Sequence, residues 1–495
     1  MKIIFVHIGR ENLGIEYLSS VLKNHGFQVG LAYDPGLFTT EDNVLYSGFL
    51  ERLFSQKERI IKKVVEFNPD VVAFSAYTSN YVSVLSLAQE IKSKIDVPTV
   101  FGGIHATLVP DEVISHDCVD FLIRSEGEYP LLELLTSIRD NLSYAEVKNL
   151  WYKKDGEILK NDLRPPIENL DDLALPDKDL FKEAIRYRDD YLILASRGCP
   201  YGCSYCCESY FKKIYGGKYF RRRSVYSVIN ELKVMQHRYR FKRVTFFDSI
   251  FFTDANWLKD FLKEYKREIS LPFRSIGHVN FANYEILKLM KEAGCYGIDF
   301  GVQTFNERIR KDILHRPETN DQIKKAFDIC DKIKLRYDVD LMFGLPGATE
   351  EDYKLPIYFL NRNKFINRLK CYYLSYFPKL SIIDKAKELG VLENKDIANI
   401  ESGKIGDWFH LDSIKDEGHR RLKEDFQKLY KIFPLMPSAL RSFIIKRRTY
   451  RYFHILPNFL IILMQLLIGI CKKDYRFNIY INNYLFHLKK RLVQF

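Results

Sequence analysis

This chain of 495 residues lacks the features that mark secreted or membrane-spanning proteins. A strand-like run begins at Lys2, so we expect no secretory leader. The nine cysteines form no paired framework of the secreted type, and the first 190 residues contain only Cys118. The apolar run 459–471 has thirteen residues, fewer than the ~20 that a bilayer span requires. These absences predict a protein of the reducing cytoplasm.

Acidic residues are nearly missing from the last part of the chain. Residues 441–495 contain eleven Lys or Arg and one acidic residue, Asp474, so this segment carries +10 of the formal net charge of +12. Basic and aromatic residues beside an apolar run are typical of a helix that lies on an anionic membrane surface. A buried helix with a basic outer face is the alternative. Nucleic-acid binding is less favoured, because aliphatic residues interrupt the basic ones.

The rest of the composition is ordinary for a globular protein, with 46% hydrophobic and 28% charged residues, and the length predicts two or three domains. In residues 1–140, buried-strand runs alternate with helical patterns, which predicts a parallel sheet with helices on both faces. Ligands bind beyond the carboxyl ends of such strands. The candidate loops there are 75–78, 102–107 and 125–128.

A connector is predicted over residues 141–185, with a hairpin that turns at Asp155-Gly156. Residues 186–390 then show six strand-then-helix units, which predict a partial (β/α)6 barrel with its chemistry at the carboxyl ends of the strands. The predicted barrel strands are 191–195, 243–248, 273–277, 296–302, 338–343 and 369–373. Residues 391–495 are predicted to be helical and basic.

Three cysteines follow the first of these strands with the spacing Cys-x-x-x-Cys-x-x-Cys: Cys199, Cys203 and Cys206. Thiolates this close indicate a metal ion or an iron–sulfur cluster. A cluster normally takes four thiolates, so three would leave one iron open to a small chelating molecule. A zinc site usually has a second ligand pair, and no Cys-x-x-Cys or His-x-x-His partner occurs elsewhere. Cys207 has no place in the spacing.

The triad resembles the signature of the radical S-adenosylmethionine (SAM) enzymes. The resemblance implies a [4Fe–4S] cluster on the three cysteines, with SAM chelating the fourth iron and yielding a 5′-deoxyadenosyl radical on reduction. It also implies SAM contacts for four further residues: Tyr205 beside the adenine, Asp248 at the ribose or amine, Gln303 near the ribose, and Gly344 where the backbone approaches the adenine. The alternative for Asp248 is capping of the next helix. His278 stands where an arginine is common, and a solvent-facing or a substrate-facing role stays open for it.

The first domain resembles the cobalamin-binding domain that precedes many radical SAM barrels, through the segments 13–22, 102–107 and 125–128. The resemblance implies that small residues let a flat corrin lie over the strand ends and that neighbouring residues contact it; the residues concerned are Ser75, Gly102, Gly103, His105, Glu126 and Gly127. A helix-capping or buried histidine is the alternative for His105, and a vestigial Rossmann-like fold is the alternative for the domain.

Many cobalamin proteins ligate cobalt through a histidine in the motif Asp-x-His-x-x-Gly. Aligned on Gly14, the corresponding positions here are Gly9 and Glu11, so the histidine is absent. We therefore expect that this loop does not ligate the lower face of cobalamin. Tyr77, or another residue near Ser75, is a candidate to cover the cobalt.

The predicted fold class is α/β: an N-terminal Rossmann-like cobalamin-binding domain, a partial (β/α)6 radical SAM barrel and a helical C-terminal tail. The resemblance implies methylation of an unactivated carbon, in which one SAM methylates cobalt and a second supplies the radical. An oxidative cyclase or rearrangement enzyme with the same cofactors is one alternative, and a non-catalytic cobalamin- or cluster-binding sensor is another. A radical methylthiotransferase is disfavoured, because such enzymes carry three further N-terminal cysteines.

The expected partners are a small-molecule or lipid-like substrate and an external one-electron reductant such as flavodoxin or ferredoxin. Peripheral contact with the inner membrane surface through residues 441–495 is a further expectation.

Overall fold

The computed structural model describes residues 1–39, 45–404, 417–472 and 474–492, and it divides into two compact units. The first unit comprises Met1–Ile185, Tyr205–Arg221 and Ser375–Asp407, and the second comprises Arg186–Ser204, Arg222–Leu374 and Trp408–Phe495. The domain limits given above stay predictions.

The first unit is built on a seven-stranded sheet in the order β2-β1-β3-β4-β5-β6-β7. Its first five strands run parallel, and the last two pairings are antiparallel. The chain therefore reverses its winding direction between β1 and β3, which is where open sheets of this order bind their ligands. The strands are β1 (Lys2–Ile8), β2 (Gln28–Asp34), β3 (Val71–Ser75), β4 (Thr99–Gly102), β5 (Phe121–Ile123), β6 (Leu150–Lys154) and β7 (Glu157–Lys160).

Strands β6 and β7 form the predicted hairpin. Asp155 and Gly156 connect them with φ of 53° and 80°, a left-handed pair that suits the twist of a two-residue hairpin turn.

A polar side chain defines the start of the first helix, because Asn12 accepts a hydrogen bond from the Ile15 amide at 3.1 Å. The buried strand runs therefore carry the parallel sheet that their pattern predicts.

One predicted helix of this unit is wrong. The helical pattern in the sequence near residues 53–67 predicts a single helix, but the chain forms two helices, Gly48–Phe54 and Lys57–Phe67. The break is stabilised by the Gln56 amide, which donates to Asp34 Oδ2 at 2.9 Å instead of to a helical carbonyl. The helices of the first unit are Leu13–Asn24, Gly48–Phe54, Lys57–Phe67, Tyr81–Lys92, Ile104–Leu108, Pro110–Ser115, Glu128–Arg139, Cys207–Ile214, Ser381–Glu388 and Asn394–Glu401, with short 3-10 turns at Leu170–Asp172 and Lys178–Phe181.

The second unit contains a six-stranded sheet in which every pairing is parallel and the strands follow one another in chain order. Helices separate successive strands, so the predicted (β/α)6 arrangement and the α/β fold class are confirmed. The strands of the sheet are β8 (Tyr191–Ile193), β11 (Val244–Phe246), β12 (Phe273–Gly277), β13 (Cys295–Gln303), β14 (Arg336–Phe343) and β15 (Ile366–Tyr373); two short strands, β9 (Ser196–Arg197) and β10 (Arg221–Arg222), lie between β8 and β11 in the sequence.

The predicted helical C-terminal region is also confirmed. No single helix among the described residues is long and apolar enough to cross a bilayer, although the neighbouring helices Thr449–Ile455 and Asn458–Cys471, bent by 109°, reach that length and composition when taken together. The helices of the second unit are Val225–Tyr239, Ala255–Glu268, Tyr284–Glu292, Asn320–Lys332, Glu350–Leu360, Glu417–Ile432, Ser438–Lys446, Asn458–Cys471 and Tyr475–Leu492, with a π-helical turn at Ile309–Ile313.

Candidate active site

The segment 195–204, which carries Cys199 and Cys203, follows the carboxyl end of β8, and buried hydrogen bonds hold both ends of this segment in the second unit. At its start, Asp248 accepts hydrogen bonds from the Ala195 amide at 3.1 Å and from the Ser196 hydroxyl. At its end, the Ser204 hydroxyl donates to the carbonyl of Ile313 at 2.6 Å. The segment 195–204 is therefore anchored at the edge of the sheet where parallel strands place reactive groups.

Asp248 itself is fully buried, and burial raises the pKa of its carboxyl group. The hydrogen bonds from Ser196 and Ala195 act in the other direction and lower this pKa. The alternative that Asp248 caps the next helix is wrong. Asp254 caps that helix, because its Oδ1 accepts hydrogen bonds from the amides of Asn256 and Trp257. In the described contacts Asp248 braces the cysteine loop, and a direct contact with SAM stays a prediction.

Of the three cysteines of the motif, Cys203 is buried, whereas Cys199 and Cys206 are partly exposed. Burial raises the pKa of the Cys203 thiol and that of its neighbour Cys207, the latter to about 12. Within residues 1–39, 45–404, 417–472 and 474–492, no three His, Cys, Asp or Glu side chains are grouped closely enough to hold a metal ion. Convergence of the three thiolates on a cluster therefore stays a prediction, supported by their soft-donor chemistry and spacing.

A buried charged network that the sequence did not predict reaches Cys203 from the loop after β13. Arg316 Nη1 lies 3.7 Å from Cys203 Sγ, and Arg316 Nε donates to Glu318 Oε1 at 2.6 Å. The other carboxylate oxygen of Glu318 lies 3.2 Å from His278 Nε2. Although burial works in the opposite direction, His278 and Arg316 hold the pKa of Glu318 at about 2. The carboxylate is therefore ionised at neutral pH.

His278 occupies the position where the resemblance expects an arginine. Only 4% of it is exposed, so a solvent-facing role is wrong. Its Nδ1 accepts from the Asn280 amide at 3.3 Å, which leaves the ring proton on Nε2 facing Glu318. Burial lowers the pKa of His278 despite Glu318, so the ring is neutral, and the Tyr201 ring stacks on it at 4.3 Å.

Gln303 ends β13 in a left-handed conformation, with φ of 67°. Its Oε1 is buried and has no hydrogen-bond partner among the described residues. A side chain at Gly301 would clash with the Gln303 amide nitrogen, since a Cβ there would lie 2.8 Å from Nε2. An unsatisfied buried acceptor at the carboxyl end of a strand fits the hydroxyl donors of a SAM ribose. The predicted SAM contact of Gln303 thus gains physical support and remains a proposal.

The positions of two further predicted SAM residues, Gly344 and Tyr205, give no additional support for a contact with SAM. Gly344 follows β14 with φ of 74°, a conformation that favours glycine in the turn before the helix at Glu350. Tyr205 lies in the first unit, directly before Cys206, and is partly exposed. Their contacts with SAM stay predictions.

In the first unit, the predicted small residues lie at the carboxyl ends of β3 and β4. Ser75 and Gly102 end these strands and are partly exposed. Gly103 has φ of 97°, and a Cβ there would lie 2.8 Å from the carbonyl oxygen of Ala76. The packing of the two loops is therefore enough to require glycine at position 103. Its small size is weaker support for a bound corrin than its sequence position implied.

The structure favours the buried-histidine alternative for His105. The ring has no exposed surface, its Nδ1 lies 3.1 Å from the Thr78 hydroxyl, and it packs on Tyr81 with ring centres 4.1 Å apart. Burial lowers the pKa of His105 to about 4. A contact with a cofactor would require this side chain to leave the core of the unit.

Glu126 is also engaged within its own unit. Its carboxylate pairs with the Arg221 guanidinium, with Oε1 at 2.9 Å from Nη2 and Oε2 at 3.0 Å from Nη1, and it accepts from the Ile167 amide at 2.7 Å. Gly127 immediately precedes the helix Glu128–Arg139. These contacts make Glu126 a structural clamp, and its predicted contact with cobalamin is left as a proposal.

The loop after β1, where a cobalt-ligating histidine would stand, carries a buried ion triad. Lys178 Nζ lies 2.6 Å from Glu11 Oε1 and 2.8 Å from Glu16 Oε2, and the lysine side chain is completely buried. Lys178 occupies the Glu11 carboxylate, which supports the prediction that this loop leaves the lower face of cobalamin without a ligand. On the neighbouring loop, the Tyr77 hydroxyl accepts from Asn12 Nδ2 at 3.1 Å.

We expect the first unit to lose stability in mild acid. Burial lowers the pKa of both His7 and His105 to about 4, from 6.5 in the unfolded chain. The unfolded state therefore binds more protons between these values, so stability falls as the pH drops from about 6.5 toward about 4. Each histidine should cost about 2 kcal/mol at pH 5.

The measurement is the pH dependence of amide exchange in this unit. His105→Gln should remove about half of the slope between pH 7 and 5, whereas His25→Gln, at an exposed position, should leave it unchanged. An unaltered slope in His105→Gln would contradict the assignment.

Comparison with known proteins now bears on both units. The B12 binding domain model matches residues 10–135, and the radical SAM superfamily model matches residues 193–355. An uncharacterized methyltransferase of Pyrococcus horikoshii is 30% identical over 373 residues, which cover 73% of this chain and 78% of that protein. The chain belongs to the radical SAM superfamily and carries a B12-binding domain.

Two other similarities are informative. The hopanoid C-3 methylase of Methylococcus capsulatus is 28% identical over 61% of this chain and 55% of its own length. The solved structure of the cobalamin-dependent S-adenosylmethionine radical enzyme OxsB, with aqua-cobalamin and SAM bound, superimposes with a TM-score of 0.67 at 16% identity, covering 100% of this chain and 80% of that one. This likeness shows that the two proteins share a fold.

Proposed function

We propose that this radical SAM protein is a cobalamin-dependent C-methyltransferase acting on an unactivated carbon. The observation that carries the proposal is the joint presence of a B12-binding domain and a three-cysteine radical SAM motif in one chain with a methyltransferase-named relative of matching length. Bound together, the cofactors would supply a carbon radical and a transferable methyl group. One methylation consumes two SAM and two electrons, and it yields one S-adenosylhomocysteine, one 5′-deoxyadenosine and one methionine.

Different residues of the chain would bind the cluster, SAM and cobalamin. Cys199, Cys203 and Cys206 would hold the cluster and leave one iron for SAM. The unsatisfied Oε1 of Gln303 would accept from the SAM ribose. In the first unit, Lys178 would keep Glu11 from the cobalt, so the lower face would stay free of a ligand from this loop.

Product analysis separates the alternatives. The anaerobically reconstituted protein is incubated with cobalamin, a reductant, a bacterial lipid extract and SAM that carries a trideuterated methyl group. A methyltransferase forms 5′-deoxyadenosine and S-adenosylhomocysteine in equal amounts and labels one extract component. A cyclase forms 5′-deoxyadenosine without label transfer, and a sensor forms neither product. Formation of 5′-deoxyadenosine alone would contradict the proposed reaction.

The proposal includes a lipid-like substrate and peripheral binding of the protein to the inner surface of the membrane, where cytoplasmic flavodoxin or ferredoxin would supply electrons. The supporting feature is the helix Asn458–Cys471. At 14 residues it is about 21 Å long, too short for the ~30 Å hydrocarbon core. Ile461 and Ile468 are buried, while a stripe at helical spacing is exposed: Phe459, Leu463, Leu467 and Ile470.

The charged residues that precede this stripe in the sequence are of one sign, and Arg451 among them pairs with Glu350. Residues 441–472 include no acidic side chain, and four basic residues there are exposed: Lys446, Arg447, Arg448 and Arg451. Lys473, which the sequence also placed beside the apolar run, lies outside the described residues. An exposed apolar stripe that follows a run of exposed basic residues in the sequence matches an anionic lipid surface.

We expect Leu463→Ser/Leu467→Ser to weaken binding to vesicles of phosphatidylglycerol and phosphatidylcholine. Two exposed leucines lose about 3 kcal/mol of burial in the lipid, or roughly a hundredfold in affinity. Co-sedimentation measures the loss, and the exposed pair Val65→Ser/Val82→Ser in the first unit serves as the control. Wild-type protein that fails to bind the anionic vesicles would sink the membrane proposal.

A further inference from the structure

A buried arginine contacts one of the three predicted cluster ligands in the second unit. Arg316 Nη1 lies 3.7 Å from Cys203 Sγ, within hydrogen-bond reach of a sulfur acceptor. Arg316 is 7% exposed and Cys203 is 8% exposed, so little water competes for either group. A hydrogen bond at such a site acts in a low-dielectric environment, where its electrostatic effect is large.

The remaining contacts of Arg316 fix the direction of its guanidinium plane. Nε donates to Glu318 Oε1 at 2.6 Å, and Nη2 donates to the carbonyl of Gly301 at the end of β13. Glu318 is held in turn by His278, whose Nε2 lies 3.2 Å from Oε2. A planar guanidinium held at two of its nitrogens directs the third, Nη1, at the sulfur.

We propose that Arg316 donates a hydrogen bond to the Cys203 thiolate when that thiolate ligates the cluster, and that this bond raises the reduction potential of the cluster. The inference rests on the proposed function, because it requires Cys203 to be a cluster ligand. Reduction adds one electron from the external reductant to the cluster, and no bond is made or broken in this step. An N–H group directed at a ligating sulfur stabilises the more negative, reduced state.

The ion pair with Glu318 makes the hydrogen bond separable from net charge. Because Glu318 is ionised beside Arg316, the pair is neutral overall, and the directed N–H group is what reaches the sulfur. Replacing both partners, as in Arg316→Met/Glu318→Gln, keeps the pair neutral and removes the donor. Arg316→Met alone would leave Glu318 unpaired, and its negative charge would lower the potential further.

The test is a redox titration of the reconstituted full-length protein, followed by electron paramagnetic resonance in the absence of SAM. In Arg316→Met/Glu318→Gln we expect the equilibrium constant for cluster reduction to fall at least tenfold, which corresponds to 59 mV for one electron. Arg310→Gln is the matched control. Arg310 is fully buried and bonds the Thr304 and Glu318 carbonyls without contacting a thiol, so its loss should leave the potential unchanged. An unshifted potential in the double variant overturns the proposal, as does an equal shift in Arg310→Gln.

A second measurement uses the wild-type protein and so does not depend on the folding of a variant. Wild-type protein labelled with nitrogen-15 in arginine only is reduced, and the hyperfine coupling between the cluster and nitrogen-15 is recorded. We expect a coupling that unlabelled protein lacks, and its absence overturns the proposal even if the variants lose the cluster. The two failures remain distinct: a protein without a cubane by Mössbauer spectroscopy contradicts the proposed function, whereas a normal cubane without coupling contradicts only the role of Arg316.

Discussion

Replacement of Cys203 by alanine is expected to abolish 5′-deoxyadenosine formation in the reconstituted protein. With two thiolates left, the cluster loses one of its three protein ligands. The fall in 5′-deoxyadenosine formation should exceed the roughly 10- to 100-fold that removal of an outer hydrogen-bond partner costs a metal site. The same result is expected for Cys199→Ala and Cys206→Ala. The measurement is the yield of 5′-deoxyadenosine per iron–sulfur cluster under a strong reductant.

Cys207 provides the matched control within the same segment. It is adjacent to Cys206 but lies outside the three-cysteine spacing, and it begins the helix Cys207–Ile214. Cys207→Ala should therefore retain the cluster and its full yield. If Cys207→Ala loses the cluster while Cys203→Ala keeps it, the assignment of ligands is wrong.

The second large effect concerns stability. Lys178→Met should destabilise the first unit by about 3–5 kcal/mol, because two buried carboxylates, Glu11 and Glu16, would lose the charge that compensates them. Amide exchange in the helix Leu13–Asn24 of the full-length protein measures the change. The loss should shrink as the pH falls, since burial raises the pKa of Glu16 and an unpaired carboxyl group can take up a proton.

The control for this variant neutralises all three groups. Lys178→Met/Glu11→Gln/Glu16→Gln carries no buried charge, so most of the stability should return. If the triple variant is as unstable as Lys178→Met, the loss comes from packing of the lysine stem and not from the ion triad. A cost below about 1 kcal/mol for Lys178→Met would contradict the buried triad itself.

The parallel strands of both units could be predicted because their signal is local. A buried strand between two helices is a short apolar run, and β12 was predicted at both ends as Phe273–Gly277. The break between Gly48–Phe54 and Lys57–Phe67 could not be predicted, because it depends on a hydrogen bond from Gln56 to Asp34 on another strand. Helical periodicity continues through such a break.

The candidate site also combines features that are local in the sequence with contacts between residues far apart in it. The cysteine spacing lies within eight residues and could be found directly, whereas Lys178 meets Glu11 across a separation of 167 residues and Arg316 meets Cys203 across 113. Charged residues at such separations give no periodic signal. A position after a barrel strand was the one available indication for Arg316, and many surface residues share it. For His105 the sequence left both a cofactor contact and a buried histidine open, and its side chain lies in the core.

The proposed chemistry requires that three cysteines hold a [4Fe–4S] cluster and leave one iron for SAM. Mössbauer spectroscopy of protein reconstituted with iron-57 tests it most directly, with spectra recorded before and after addition of SAM. We expect a cubane in which a single iron site changes its Mössbauer parameters when SAM binds, and no such change in Cys203→Ala. A cubane whose irons all keep their parameters with saturating SAM, or wild-type protein with no cubane, would contradict it.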